Sequence, residues 1–231
     1  MRFFGRKYRS ILALCLVAIC VCGCADNPAR SLWYRQQWEE DEKHGPTFHT
    51  RLEDLTSLRT GADQLNEAEQ ARVAQQLNQV LAEDPSPLYR GEAVRTLGSL
   101  STPIAAEGLG RAIQDNEPSV RIAACQAWAD RGDQEALQVL SQVVGSDTDL
   151  DVRMAATRGL ANFSDPAAVR ALGLALDDAD PALQHRAVQS LRAVTGEDFG
   201  NSVPAWRQFV RGEPVRRPDP PSIAESLRNL F

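Results

Sequence analysis

A period of 31 to 32 residues constrains this chain more than any other feature of it. Four segments align without gaps: Asp84-Pro-Ser-Pro-Leu-Tyr-Arg90-Gly-Glu-Ala93, Asp115-Asn-Glu-Pro-Ser-Val-Arg121-Ile-Ala-Ala124, Asp147-Thr-Asp-Leu-Asp-Val-Arg153-Met-Ala-Ala156 and Asp178-Ala-Asp-Pro-Ala-Leu-Gln184-His-Arg-Ala187. Their aspartates are 31, 32 and 31 residues apart, and the alanines keep the same intervals. A unit this short cannot bury its apolar faces alone, so copies must stack on one another.

Each copy reads as two helices. In the second copy Val120, Ala123, Ala124, Ala127 and Trp128 fall on one face of a 3.6-residue period, and Val152, Ala155, Ala156, Gly159 and Leu160 repeat it in the third. A second stripe follows each time: Ala105, Ala106, Leu109, Ala112, Ile113; then Ala136, Leu137, Leu140, Val143, Val144; then Ala168, Val169, Leu172, Ala175, Leu176. Pro118 and Pro181 suit first-turn positions, with Glu117 and Asp180 as caps before them. Ser101 and Ser164, ahead of Pro103 and Pro166, are expected to cap the second helices. The fold class is therefore all-α: an α-solenoid of about four helical-hairpin repeats over residues 83–194, with helical caps.

The spacing Asp-x-x-Pro-x-Val-Arg-x-x-Ala-x-x-x-Leu/Trp resembles the short HEAT-like repeats, the type also found in phycobilin lyases. The resemblance covers about half the chain. Leu150 stands where the pattern has proline, and Gln184 where it has arginine. It implies a solenoid whose second helices line a concave side and offer a surface to other proteins.

The flanks differ. Residues 47–82 are expected to form an amino-terminal helical cap, with Leu52, Leu55 and Leu58 in one helix and capping-box spacing from Asn66 to Glu69 ahead of another. Residues 195–211 read as a loop followed by a capping helix from Ser202, carrying Trp206, Phe209 and Val210. Residues 212–221 hold four prolines and form an extended linker. Beyond it Ile223, Leu227, Leu230 and Phe231 share one face of a short amphipathic helix.

At the other end, residues 1–10 are basic and residues 11–22 form a twelve-residue apolar run, the build of an export signal. Val21-Cys22-Gly23-Cys24 resembles the lipobox of bacterial lipoproteins, which implies a signal peptide over residues 1–23, lipid attachment at Cys24 and a tether over residues 24–46. Ala25, not aspartate, follows the anchor, which directs the expectation to the outer rather than the inner membrane. No apolar run reaches the ~18–20 residues of a membrane span. The first 23 residues hold four basic and no acidic groups, so the remainder carries 21 basic against 31 acidic residues, a formal charge of −10 that argues against nucleic-acid binding.

Catalytic signatures are scarce. His44, His49 and His185 form no metal-ligand spacing, and neither a nucleophile elbow nor a phosphate loop occurs. Gly108-Leu-Gly110 lacks the third glycine of a dinucleotide fingerprint and reads as helix contact. Cys125 follows Ala123-Ala124 in a helical stripe and reads as a buried, inert thiol. The recurring Asp84, Asp115, Asp147 and Asp178, with Arg90, Arg121 and Arg153, read as a structural ladder, since catalytic residues have no reason to recur once per repeat. Opposite the apolar stripe of the second helices run Glu107, Gln138 and Arg170, and beside them the small residues Gly110, Ser141 and Gly173. These six form a candidate partner-binding groove. The expectation is thus a lipid-anchored scaffold for envelope proteins of unknown identity, without catalysis, cofactor, metal or catalytic residues. The alternative is phycobilin-lyase-like or chaperone activity using the groove.

Overall fold

The computed structural model describes residues 45–215. The expected signal segment, the lipidation site Cys24, most of the tether and the amphipathic tail over residues 222–231 lie outside the described residues. The chain divides into two compact units, Met1–Arg51 and Leu52–Phe231. Of the first, residues 45–51 are described, and they include the start of a helix.

Ten α-helices and no strands occur among the described residues: α1 (Phe48–Thr60), α2 (Glu67–Glu83), α3 (Pro87–Gly98), α4 (Pro103–Ala112), α5 (Pro118–Arg131), α6 (Gln134–Ser146), α7 (Leu150–Gly159), α8 (Pro166–Leu176), α9 (Pro181–Thr195) and α10 (Val203–Val210). They stack as a HEAT-like solenoid. The first helices of successive repeats, α3, α5, α7 and α9, lie side by side in one layer. In the other layer α2 lies against α4, α6 against α8, and α8 against α10, whereas α4 and α6 scarcely touch.

The repeat columns become the core. Ala93, Ala124, Ala156 and Ala187 are fully buried, as are Leu97, Trp128, Leu160 and Leu191 one turn on. Ala105, Ala136 and Ala168, and then Leu109, Leu140 and Leu172, do the same in the second helices. Small residues set how closely layers approach. A Cβ on Gly98 would come within 2.8 Å of the Ala127 methyl on α5. On Gly108 it would lie against the Asn78 carboxamide of α2, whose Nδ2 donates to the Ile104 carbonyl at 3.0 Å.

Helix starts follow the sequence with a one-residue correction. Thr102 and Asp165, not Ser101 and Ser164, cap α4 and α8, their side chains accepting from the Ala105 and Ala167 N–H groups. Proline at the first helical position makes the residue directly before it the cap, so the cap falls one place later than expected. Asp180 caps α9 in this way, but Glu117 makes no side-chain cap on α5. Leu150, in the place of proline, starts α7 behind Asp149, whose carboxylate accepts from the Asp151 and Val152 N–H groups. The Asn66–Glu69 capping box is complete.

The fourth repeat also has a second-helix position. The eight-residue α10 takes that position against α8 and α9. Its Trp206 is fully buried and meets Phe199 edge-on at 5.0 Å and Phe209 at 5.8 Å. The aromatic cluster closes the array where a fifth repeat would otherwise stack.

Candidate functional site

The Asp and Arg columns form a continuous ladder. Arg90 donates through Nε and Nη2 to the two carboxylate oxygens of Asp115 at 2.8 and 2.9 Å, and Arg121 does the same to Asp147 at 2.8 and 2.9 Å. Arg153 reaches Asp178 through one contact of 3.2 Å. The third guanidinium nitrogen of each donates back to a carbonyl of its own repeat, Asp84, Asp115 or Asp147, and Gln184 Nε2 donates to the Asp178 carbonyl in the copy that lacks arginine. Each aspartate also accepts from the N–H two residues on, at Ser86, Glu117, Asp149 and Asp180. One carboxylate thus closes a turn in its own repeat and receives the arginine of the preceding one, which fixes the register between repeats.

This environment tunes the acids. Burial pushes the Asp115 carboxyl up, but the Arg90 guanidinium, the Glu117 N–H and the nearby Arg121 outweigh it and hold it below the usual carboxylate range. Asp147 behaves alike, with Arg121, the Asp149 N–H and Arg153 overcoming desolvation. Burial pushes the Cys125 thiol up to about 12, so this side chain stays protonated and unreactive at neutral pH.

Where α4 and α6 part, the ladder becomes the floor of a cleft of about 420 Å³. Ile113, Val139 and Val143 supply apolar wall, Gln114, Asn116, Gln142, Ser146 and Thr148 supply hydrogen-bonding groups, and Asp115, Arg121 and Asp147 supply charge. Gly110 stands on its α4 side, with nothing within 4 Å of where a Cβ would sit. The cleft escapes sequence reading because it is made by a missing contact. Gly110 is its one legible sign.

The six groove residues do not share one floor. Glu107 is exposed on α4 and lies 3.8 Å from Arg111. Gly110 belongs to the α4–α6 cleft. Gln138, Ser141 and Arg170 come together in a separate groove between α6 and α8, where Ser141 Oγ donates back to the Leu137 carbonyl at 2.6 Å. Gly173 faces no open groove: a Cβ there would meet Val210 of α10 at 2.8 Å. The capping helix covers that glycine, because α10 lies against α8 where the sequence column assumed open surface.

A family model of HEAT repeats matches residues 74–161, and one of the PBS lyase HEAT-like repeat matches residues 152–178. The chain carries HEAT-like repeats. None of the curated proteins matches it. Among solved structures it is similar to the complex of CpcE and CpcF of phycocyanin lyase from a Nostoc species, at 20% identity, covering 69% of this chain and 96% of that one with a TM-score of 0.45. The lyase-type repeat over residues 152–178 corrects two expectations. The reading as a purely non-catalytic interaction scaffold gives way to the alternative of lyase-like or chaperone activity, and with it the expectation that the chain is no enzyme. Single-residue motifs could not make that distinction, because the repeat signature is carried by structural positions.

Proposed function

We propose that this chain has a lyase-type role in which the α4–α6 cleft holds a phycobilin-class chromophore for delivery to a client protein. The cleft carries this reading. A linear tetrapyrrole is a flat apolar body edged with N–H donors and carboxylates. Ile113, Val139 and Val143 suit the body, Asp115 and Asp147 offer acceptors to its N–H groups, and Gln114, Asn116 and Gln142 offer donors to its carboxylates. The PBS lyase HEAT-like repeat match supports the same class. Cys125, fully buried with its thiol pushed up to about 12, is unsuited to carry the chromophore itself, so covalent attachment would fall on the client. The basic start, the apolar run and Val21-Cys22-Gly23-Cys24 support export and lipid anchorage at Cys24, with an envelope protein as client. Metabolic labelling with a fatty-acid analogue tests the anchor, and equal label on Cys24→Ser would refute it.

The cleft is tested by titrating the full chain with phycocyanobilin and following its visible absorbance. Gly110→Phe places a ring in open space on the cleft wall and removes a helix glycine, so the fold should hold. The expected result is saturable binding by the parent and at least tenfold weaker binding by Gly110→Phe at unchanged helicity. No saturable spectral change with the parent, or equal binding by both, would overturn the proposal.

A further inference from the structure

Helices of the second layer meet at one recurring position. At the α6–α8 seam it is filled by Gly145 and Leu174, and a Cβ on that glycine would lie 3.3 Å from the Leu174 Cδ1. Counting 32 residues on from Gly145 reaches Asp177, which joins α10 through Arg207 at 2.8 Å. Counting 31 back from Gly145 reaches Gln114, and 32 back from Leu174 reaches Gln142. Both glutamines line the α4–α6 cleft, and neither side chain has a hydrogen-bond partner among the described residues. The position that closes one seam by an apolar contact and another by an ion pair thus holds two free carboxamides at the parted one.

The first layer supplies a pivot for this seam. There α3 and α5 stay in contact, with Gly98 admitting the Ala127 methyl and the Arg90–Asp115 rung fixing the register at 2.8 and 2.9 Å. Rotation about that layer changes the α4–α6 gap and leaves the first layer joined. The gap stands open for a local reason. Because α4 ends at Ala112, Gln114 sits in the tight turn beyond it, its N–H donating to the Arg111 carbonyl at 2.9 Å, whereas Gly145 still belongs to α6. Two carboxamides facing one another can each donate and accept, but in water such a bond shifts an equilibrium only about two- to tenfold. A contact that weak is one a ligand can override, provided it binds one arrangement of the seam and not the other.

We propose that Gln114 and Gln142 are the latch of a gate: joined, they shut the α4–α6 cleft, and parted, they admit its ligand. This deepens the chromophore reading, on which it rests for the ligand, by naming the regulation of that same site. The empty chain exchanges between the two arrangements, and a bound ligand holds the seam open. Gly110 and Val139 are placed to report on it. They stand 31 and 32 residues before Ser141 and Ala171, which line a single groove where α6 and α8 do meet, and both line the parted cleft.

Gly110→Cys combined with Val139→Cys, in the full chain with both glutamines kept, reads closure as a disulfide located by mass, since that bond needs Cα atoms within ~7 Å. Cys125, buried with its thiol pushed up to about 12, does not compete. Without chromophore the link is expected to form at least tenfold faster than in Gly110→Cys combined with Gln189→Cys, whose sites lie on α4 and α9. Adding Gln114→Asp and Gln142→Arg, the chemistry of the α8–α10 seam, should speed it at least threefold. Adding Gln114→Glu and Gln142→Glu, two like charges, should slow it at least fivefold, as should saturating phycocyanobilin. A link no faster than the control, one rate in all three backgrounds, or a rate unmoved by bound chromophore would overturn the gate. If the absorbance titration shows no binding, the chromophore reading falls alone, and the ligand-free rates still decide the latch.

Discussion

Removing Arg121 measures what holds the repeats in register. The guanidinium makes two bonds to Asp147, at 2.8 and 2.9 Å, and one to the Asp115 carbonyl at 2.8 Å. The two side chains are only 12% and 9% exposed, so water screens the pair little. Deleting one partner of a buried pair costs about 3–5 kcal/mol. Asp147 keeps the Asp149 N–H at 2.9 Å and the charge of Arg153, which brings Arg121→Ala down to about 2–4 kcal/mol. Arg153 is weaker by construction. It has one contact of 3.2 Å to Asp178, side-chain exposures of 17% and 22%, and a buried Nε without a hydrogen-bond partner. Arg153→Ala should therefore cost about 1–2 kcal/mol. At about 2–4 °C per kcal/mol for an ordered region of this size, the expected drops in Tm are ~4–16 °C and ~2–8 °C. Thermal melts followed by helical circular dichroism give both, with Arg111→Ala as the exposed control. That arginine is 63% exposed and 3.8 Å from Glu107, and should move Tm by less than about 2 °C. If Arg121→Ala melts with the control, or no lower than Arg153→Ala, the ladder does not hold the array as argued.

Gly173→Leu should act on stability, not on an open groove. Its side chain must displace Val210, costing about 1–3 kcal/mol and exposing residues 195–215 to proteolysis, and an unchanged melt would refute that placement. Asp115 and Asp147 contribute stability that is whole above the ordinary carboxylate value of 3.8 and is lost as pH falls through their lowered folded-state values. Acid titration should therefore show the parent losing stability below that value, while Asp147→Asn, weaker at neutral pH, loses less; parallel curves would contradict it. Cys125 should resist iodoacetamide at pH 8 in the folded chain and react once urea unfolds the array, and rapid native labelling would show the thiol to be open.

The repeat period was enough to read the two-layer core, because a column that recurs at fixed spacing must meet the same neighbour each time. Ala93, Ala124, Ala156 and Ala187 illustrate this. The arginine bridge was equally legible, since Arg90 and Asp115 belong to successive copies of one pattern. What failed was the groove column. Gly110, Ser141 and Gly173 occupy equivalent places, yet Gly110 faces open space, Ser141 lines the α6–α8 groove and Gly173 lies beneath Val210. Periodicity tells which face a residue is on. It does not tell what stands beside that face, and the two irregular features of the second layer are both about neighbours: a parted seam after α4, and a short helix that replaces the last full one.

Those irregularities also explain why chemistry and repetition separate in this molecule. A perfectly regular second layer would present no concave surface between α4 and α6. Because α4 ends at Ala112 and Gly110 contributes no side chain, one rung of the ladder, Asp115–Arg121–Asp147, is left lining a cleft. The same groups that set the register of the array thereby become available to a ligand. Binding there should couple to stability through Arg121 and Asp147, so a cleft ligand would raise the melting temperature of the parent and do so less in Arg121→Ala, where the rung is already broken.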